Sequence, residues 1–163
     1  MTTMELDDLD RRLLLALGAR PRAGMLELSR SLGVARNTAQ ARLDRLTAAG
    51  VVTGFGPDLD LAALGYQVTA FTTLEISQGR SGDVLEHLRS IPEVAEVHRT
   101  TGAGDLLCRI VATSNDHLAL LLDRILEVHG IARTTTAIAL DTPLPSRSLQ
   151  LLAAQTADAA ATG

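Results

Sequence analysis

Residues 25–55, MLELSRSLGVARNTAQARLDRLTAAGVVTGF, decide how the first third of the chain is read. Met25, Leu28 and Leu32 recur at helical spacing up to Gly33, and a second apolar stripe of Ala39, Leu43 and Leu46 follows Val34. Two short helices joined through one glycine make a helix-turn-helix, and Gly33 suits the turn because it takes positive φ at little steric cost. Upstream, DDLDRRLLLALGARPR from Asp7 places Leu6, Leu9, Leu13 and Leu17 on one helical face. Its first-turn acids complement the helix dipole, and Gly18 with Pro21 is expected to end it. Three helices with one apolar stripe each predict a small three-helix core of the winged helix-turn-helix type, followed by a strand-like exit at Val51–Phe55.

The third helix leaves Arg36, Asn37, Gln40, Ala41 and Asp44 on one exposed side, with Thr38, Arg42 and Arg45 beside them. The first turns of a recognition helix meet base edges in the major groove. Arginine pairs with guanine there, and asparagine or glutamine with adenine, so Arg36, Asn37 and Gln40 are the base-reading candidates. Arg42 and Arg45 are expected to hold phosphates, which sets register without reading sequence. Any single arginine of this set reads better as a solvated helix face. As an ensemble, with the turn glycine, they point to double-stranded DNA as partner. Ala35 takes the cap position ahead of this helix, where Ser or Thr would bond an orphan N–H, at a cost of ~1 kcal/mol. Gly24 is a tolerable cap for the helix before it.

The net charge of −4 over 163 residues runs contrary to nucleic-acid binding until the chain is divided. Residues 1–55 hold eight arginines against six acids, a balance of +2, and the remainder holds seven against thirteen, a balance of −6. The positive part coincides with the helix-turn-helix. Apolar residues make up 46%, ample for one or two compact domains. No stretch is long enough to span a membrane, and the acidic start MTTMELDDLD is unlike a signal peptide. One cysteine, Cys108, allows no internal disulfide, and the expected location is cytoplasmic.

A boundary is expected near Gly56-Pro57, giving a DNA-binding domain over 1–56 and a strand-like linker to about 66. The second domain, 67–145, alternates: a strand over 67–76, a helix over 82–91 stopped by Pro92, strands over 93–101 and 105–113 joined by Gly102-Ala103-Gly104, a helix capped by Asn115 and ended by Gly130, and a strand over 131–141. This βαββαβ order is the ferredoxin-like plan, with both helices on one sheet face. The fold class is therefore α+β. The other face, partly apolar, is expected to be covered by a second copy of the sheet, making a homodimer. In the tail, 146–163, a last helix near Leu149 is expected to give way to a disordered alanine-rich end.

In order and motif the chain resembles the Lrp/AsnC, or feast/famine, family of transcription regulators. The residues carrying the resemblance are LDDLDRRLLLAL, LSRSLGVARNTAQARLDRLTAAGVVTGF and LAALGYQV in the first half, then IPEVAEVHRTTGAGDLL and HGIARTTTAIAL. It covers about Leu6 to Asp141. It implies dimers that often assemble into octamers, no cofactor, and an amino-acid effector bound at interfaces between second domains. Carried over to this chain, the effector pocket is bordered by Thr101, Gly102, Gly104 and Asp105, with Thr134 and Thr136 of the last strand. Asp105 suits an α-ammonium group, and the glycines let backbone N–H groups approach a carboxylate. Read from the residues alone, the loop is equally a pair of turn glycines with a turn-ending acid, and the threonines read better as ordinary β-formers. The chain departs from the family at Gly104, where a larger, often aromatic residue is common, and at Ala35, where serine is common.

No enzyme activity is expected. The rival from another class is an enzyme of similar plan acting on tetrapyrroles in haem synthesis, in which histidine takes part. Of His87, His98, His117 and His129, only His98, near the hairpin, would suit it, and it lacks a paired base or metal-ligand spacing. A third reading is a sensing or assembly module that does not bind DNA.

Overall fold

A computed structural model describes residues 4–161. They form two compact units, one built from the chain up to Pro57 together with the residues from Leu144 on, the other Asp58–Pro143. The first unit holds α1 (Asp8–Ala19), α2 (Met25–Leu32), α3 (Arg36–Ala48) and, from the far end of the chain, α6 (Ser148–Ala161). The second holds β1 (Val68–Ile76), α4 (Ser81–Arg89), β2 (Val94–Arg99), β3 (Leu106–Ala112), α5 (Asn115–Leu126) and β4 (Ile131–Ala139).

Leu13, Leu32, Leu43 and Leu46 make the core of the first unit, with Met4, Leu6, Leu9, Leu17, Met25 and Val34 packed around them. A reciprocal capping box opens α1. Asp10 N–H donates to Asp7 Oδ1 at 2.9 Å, and Asp7 N–H to Asp10 Oδ2 at 3.2 Å. At the α2–α3 turn, Gly33 takes φ 71°, ψ 30°, and Val34 N–H closes back onto Ser29 O at 3.0 Å. This is the left-handed helix stop expected of that glycine. Gly24 and Ala35 occupy the cap positions of α2 and α3, and neither helix has a side-chain cap.

Three expectations for this unit are corrected. Gly18 does not end α1, which runs to Ala19. It is instead the place where α6 packs, since a Cβ there would overlap the Leu149 side chain. The alanine-rich tail is helical through Ala161 rather than disordered, and residues 162–163 lie outside the described residues. Alanine is the strongest helix former, and Leu149 gives the segment an anchor. Residues 146–161 thus belong with the first unit rather than trailing the second. The strand-like exit is also absent: Val51–Val52 bend and the chain to Asp60 is irregular. A lone extended segment leaves its backbone groups unpaired, and among the described residues this unit supplies no second strand.

The second unit is a four-stranded antiparallel sheet of order β2-β3-β1-β4, the ferredoxin-like arrangement. Ala70, Leu74, Leu106, Cys108 and Ile110 point from one sheet face into a core completed by Val84 and Leu88 of α4 and by Leu118, Leu121 and Ile125 of α5. Burial pushes the Cys108 thiol up to about 11, which leaves it a core residue without thiolate reactivity. The opposite face presents Phe71, which stands between Arg109 and Ala137 and is 40% exposed. Two local expectations are corrected here. Ser114, not Asn115, caps α5, its Oγ accepting His117 N–H at 3.1 Å. Gly130 lies beyond the end of α5 at Leu126. Its φ of 122° turns the chain into β4, while its carbonyl accepts Ser77 N–H at 2.8 Å. Among the described residues no helix is long and apolar enough to cross a membrane.

The Gly18–Leu149 contact predicts a reversal of sign. Gly18→Ala is expected to destabilise the chain, because the added methyl meets Leu149. In a Leu149→Ala background the same substitution is expected to stabilise by up to about 1 kcal/mol, the ordinary advantage of alanine over glycine in a helix. Urea unfolding of the four variants measures the cycle, and equal effects in both backgrounds would remove α6 from α1.

Candidate nucleic-acid interface and effector loop

On α3, Ala39, Leu43 and Leu46 are buried, which turns Arg36, Asn37, Thr38, Gln40 and Ala41 outward. Arg36 makes no ion pair among the described residues. Gln40 Nε2 donates to Asp44 Oδ1 at 2.8 Å, one helical turn on, which steadies the amide at the surface. Asn37, Thr38 and Ala41 line a shallow depression with Arg42 and Arg45. The first two turns of α3 therefore present a polar edge with donors and acceptors suited to bases.

Arg42 and Arg45 are placed differently from the other four. Arg42 Nη1 donates to Asp10 Oδ1 at 3.1 Å and also to Asp7 Oδ2, and Arg45 Nη2 donates to Asp10 Oδ2. Asp10 has no exposed surface, while the Arg42 and Arg45 side chains are 28% and 49% exposed. The bond from Arg42, with help from Asp10 N–H, lowers Asp7 to about 2, and the two acids in turn raise Arg42 above its ordinary value. Sequence reasoning read Asp10 only as a first-turn acid. Its available signal was position: Asp10 falls four residues after Leu6 and three before Leu13, inside the apolar stripe of α1.

In the second unit, Thr101 and Gly102 lie exposed in the β2–β3 loop, with Gly102 at φ 109°. Asp105 is tied to the sheet. Its N–H donates to Leu74 O at 2.8 Å, and its Oδ2 accepts Ile76 N–H at 2.6 Å. Because β3 begins only at Leu106, this carboxylate takes the place of the next ladder partner. Gly104 packs closely: a Cβ would overlap Thr73 Cγ2 and stand 3.3 Å from Leu74 O. The larger residue of the family pattern does not fit here unless Thr73 shifts. Thr134 pairs with Leu74, and Thr136 with Thr72. Both threonines of β4 therefore point toward the helix-covered side. Thr136 Oγ1 shares a 3.0 Å hydrogen bond with Thr72 Oγ1, whose burial sequence reasoning missed. The loop and Thr134 meet across β1 at Leu74, whereas Thr136 stands two residues further along.

His98 is exposed, with Nε2 3.3 Å from Glu96, and Glu96 is held mainly by Arg109 at 2.7 and 3.0 Å, which lowers its pKa. No cluster of three or more metal-ligand side chains occurs among the described residues.

A helix-turn-helix unit and a ferredoxin-like unit with a glycine hairpin together define a class of two-part regulator. Residues 6–53 match a family profile described as winged helix-turn-helix DNA-binding, and residues 69–149 one described as the Lrp/AsnC ligand binding domain. The HTH-type transcriptional regulator FL11 of Pyrococcus horikoshii is 32% identical over 137 residues, 84% of this chain and 91% of that protein. Regulatory protein AsnC of Escherichia coli is 31% identical over 141 residues, 85% and 93% of the two chains. The solved structure of E. coli AsnC superposes with a TM-score of 0.83 at 30% identity, covering 90% of this chain and 99% of that one. A transcriptional regulator from Neisseria meningitidis, solved as its L-Met complex, gives 0.77 at 25% identity, covering 88% and 96%. The chain belongs to the Lrp/AsnC family of DNA-binding transcriptional regulators.

The Asp7 pairing generates a pH signature. A carboxylate bound as its anion adds stability that is complete above its ordinary value of 3.8 and is lost as pH falls through about 2. Asp7→Ser keeps a capping oxygen and removes the charge. The natural chain is expected to be the more stable of the two near neutral pH, with the gap closing as pH falls from about 4 toward 2. Urea unfolding at stepped pH measures it, and a gap unchanged down to pH 2 would assign the effect to the cap alone.

Proposed function

We propose that this regulator reads its operator through Arg36, Asn37, Thr38 and Gln40 of α3, and that an amino acid held against the β2–β3 loop modulates the binding. The observation that carries the DNA half is the outward polar edge at the start of α3, the part of a recognition helix that meets base edges. Asn37 and Gln40 suit adenine, and Arg36 suits guanine. For the effector, Asp105 is the counterion for the α-ammonium group, its carboxylate already oriented by Ile76 N–H. The exposed N–H groups around Gly102 face the effector carboxylate, and Thr134 supplies a hydroxyl. The L-Met complex of the Neisseria regulator supports an amino acid as the chemical class.

The half-exposed Phe71 face of the sheet is covered, in this reading, by a second copy of the chain, giving a dimer with two recognition helices. Octamers built from such dimers are the higher assembly. An effector that prefers one arrangement of subunits by ~1–3 kcal/mol shifts operator affinity by the same amount.

Two outcomes are expected in fluorescence anisotropy on DNA from upstream of the chain's own gene, against random-sequence DNA. Asn37→Ala or Gln40→Ala should lose ~1–3 kcal/mol of discrimination while keeping random-DNA affinity; uniform weakening on both DNAs would demote these residues. Asp105→Asn should abolish the response to an amino-acid pool and leave operator binding intact. The asparagine oxygen can still accept Ile76 N–H, so the sheet is preserved and only the charge is tested. A retained response would remove Asp105 from the pocket.

A further inference from the structure

The phosphate role expected of Arg42 and Arg45 requires both guanidiniums to be available to a DNA backbone. In the folded chain both are committed to Asp10. One carboxylate with no exposed surface accepts from Arg42 on Oδ1 and from Arg45 on Oδ2, and Arg42 also bonds Asp7. The two acids and two arginines sum to zero charge. Drawing a guanidinium away to a phosphate would strip a partner from a buried anion, which is strongly destabilising, whereas the phosphate bond gained would be solvent-exposed.

We propose that Asp10 is a positioning residue for DNA binding: it seats the recognition helix on α1 through Arg42 and Arg45 and withholds both guanidiniums from the phosphate backbone. This rests on the DNA-binding function of the first unit. It assigns to Asp10 a role in setting which side chains of α3 reach the groove. Arg36, at the helix start and free of ion pairs among the described residues, is left as the cation of α3 that meets DNA. Arg42 and Arg45 become internal ties.

The salt dependence of binding separates a tie from a phosphate ligand. Each phosphate neutralised contributes ~0.9 to the slope of log K against log salt. The measurement is anisotropy of the full-length chain on a random-sequence duplex across salt concentrations, with circular dichroism to follow the fold. Arg45→Gln, which leaves Arg42 on Asp10, is expected to keep the slope of the natural chain; a slope shallower by ~0.9 would overturn the proposal. Asp10→Asn frees Arg45, while Arg42 keeps its bond to Asp7, and is expected to steepen the slope by up to ~0.9, which a merely structural loss of affinity would not do. An unchanged or shallower slope in folded Asp10→Asn would overturn the proposal. If that variant does not fold, Arg45→Gln decides. A natural chain whose DNA binding is insensitive to salt would remove the DNA-binding reading itself, and the role of Asp10 with it.

Discussion

A carboxylate with no exposed surface lies between α1 and α3, and compensating it shapes the whole first unit. An isolated buried anion is so costly that it neutralises or finds partners. Asp10 meets this need with Asp7 N–H and the guanidiniums of Arg42 and Arg45. The same side chain thus caps α1, sits in its apolar stripe and fixes α3 against it. That last tie matters because α3 begins without a side-chain cap at Ala35. Its seat is made by Ala39, Leu43 and Leu46 on the apolar side and by the two arginines on the polar side. The face left over is the exposed polar edge of Arg36, Asn37, Thr38 and Gln40. In this unit the electrostatics of folding determine which edge of the recognition helix is available to DNA.

The second unit obeys a different constraint, the pairing of every backbone group of its central strand. β1 is flanked by β3 and β4, and where β3 begins too late to serve Ile76, the Asp105 carboxylate accepts that N–H instead. Gly104 then lies so close to Thr73 and Leu74 that a side chain there requires Thr73 to shift. The β2–β3 loop is consequently set by the sheet edge. Asp105 is a ladder partner, and in the proposed function it is also the charge offered to an effector, so that binding there would act on the end of β1. Thr72 and Thr136 show the same economy: two hydroxyls on the core side satisfy one another and leave the strand pair apolar in effect.

What could be read from the sequence was local and periodic. Leu6, Leu9, Leu13 and Leu17 mark α1, Leu28 and Leu32 mark α2, and Gly33 stands at the left-handed stop between α2 and α3. The alternation of strand and helix after Gln67 gives the ferredoxin-like order directly. What could not be read was held by partners distant in sequence. Asp10 and Arg45 are 35 residues apart, and no periodicity links them. Gly18 looked like a terminator because glycine is rare inside helices, yet its missing side chain is what admits Leu149 from the far end of the chain. Val51–Phe55 looked like a strand from its β-formers, but a strand is defined by a neighbour, and the described residues of this unit offer none. Ser114 and Asn115 are both good caps, and only the backbone chooses between them.

Charge counting shows most clearly where composition and structure part. The first 55 residues hold eight arginines, and their surplus over acids pointed toward DNA. Among the described residues, four of those eight, Arg12, Arg20, Arg42 and Arg45, are spent on Asp8, Glu27, Asp7 and Asp10 within the unit. Two of the resulting pairs, Arg12–Asp8 and Arg20–Glu27, are exposed and weak enough for a phosphate to compete with them. The pairs on Asp10 are not, because their anion has no access to water. A surplus of cations is therefore only an upper limit on phosphate contacts, and burial of the partnering acid decides which cations count. The same +2 balance would have a larger electrostatic footprint on DNA if Asp10 lay one turn outward on the surface of α1, at the expense of the contact that aims α3.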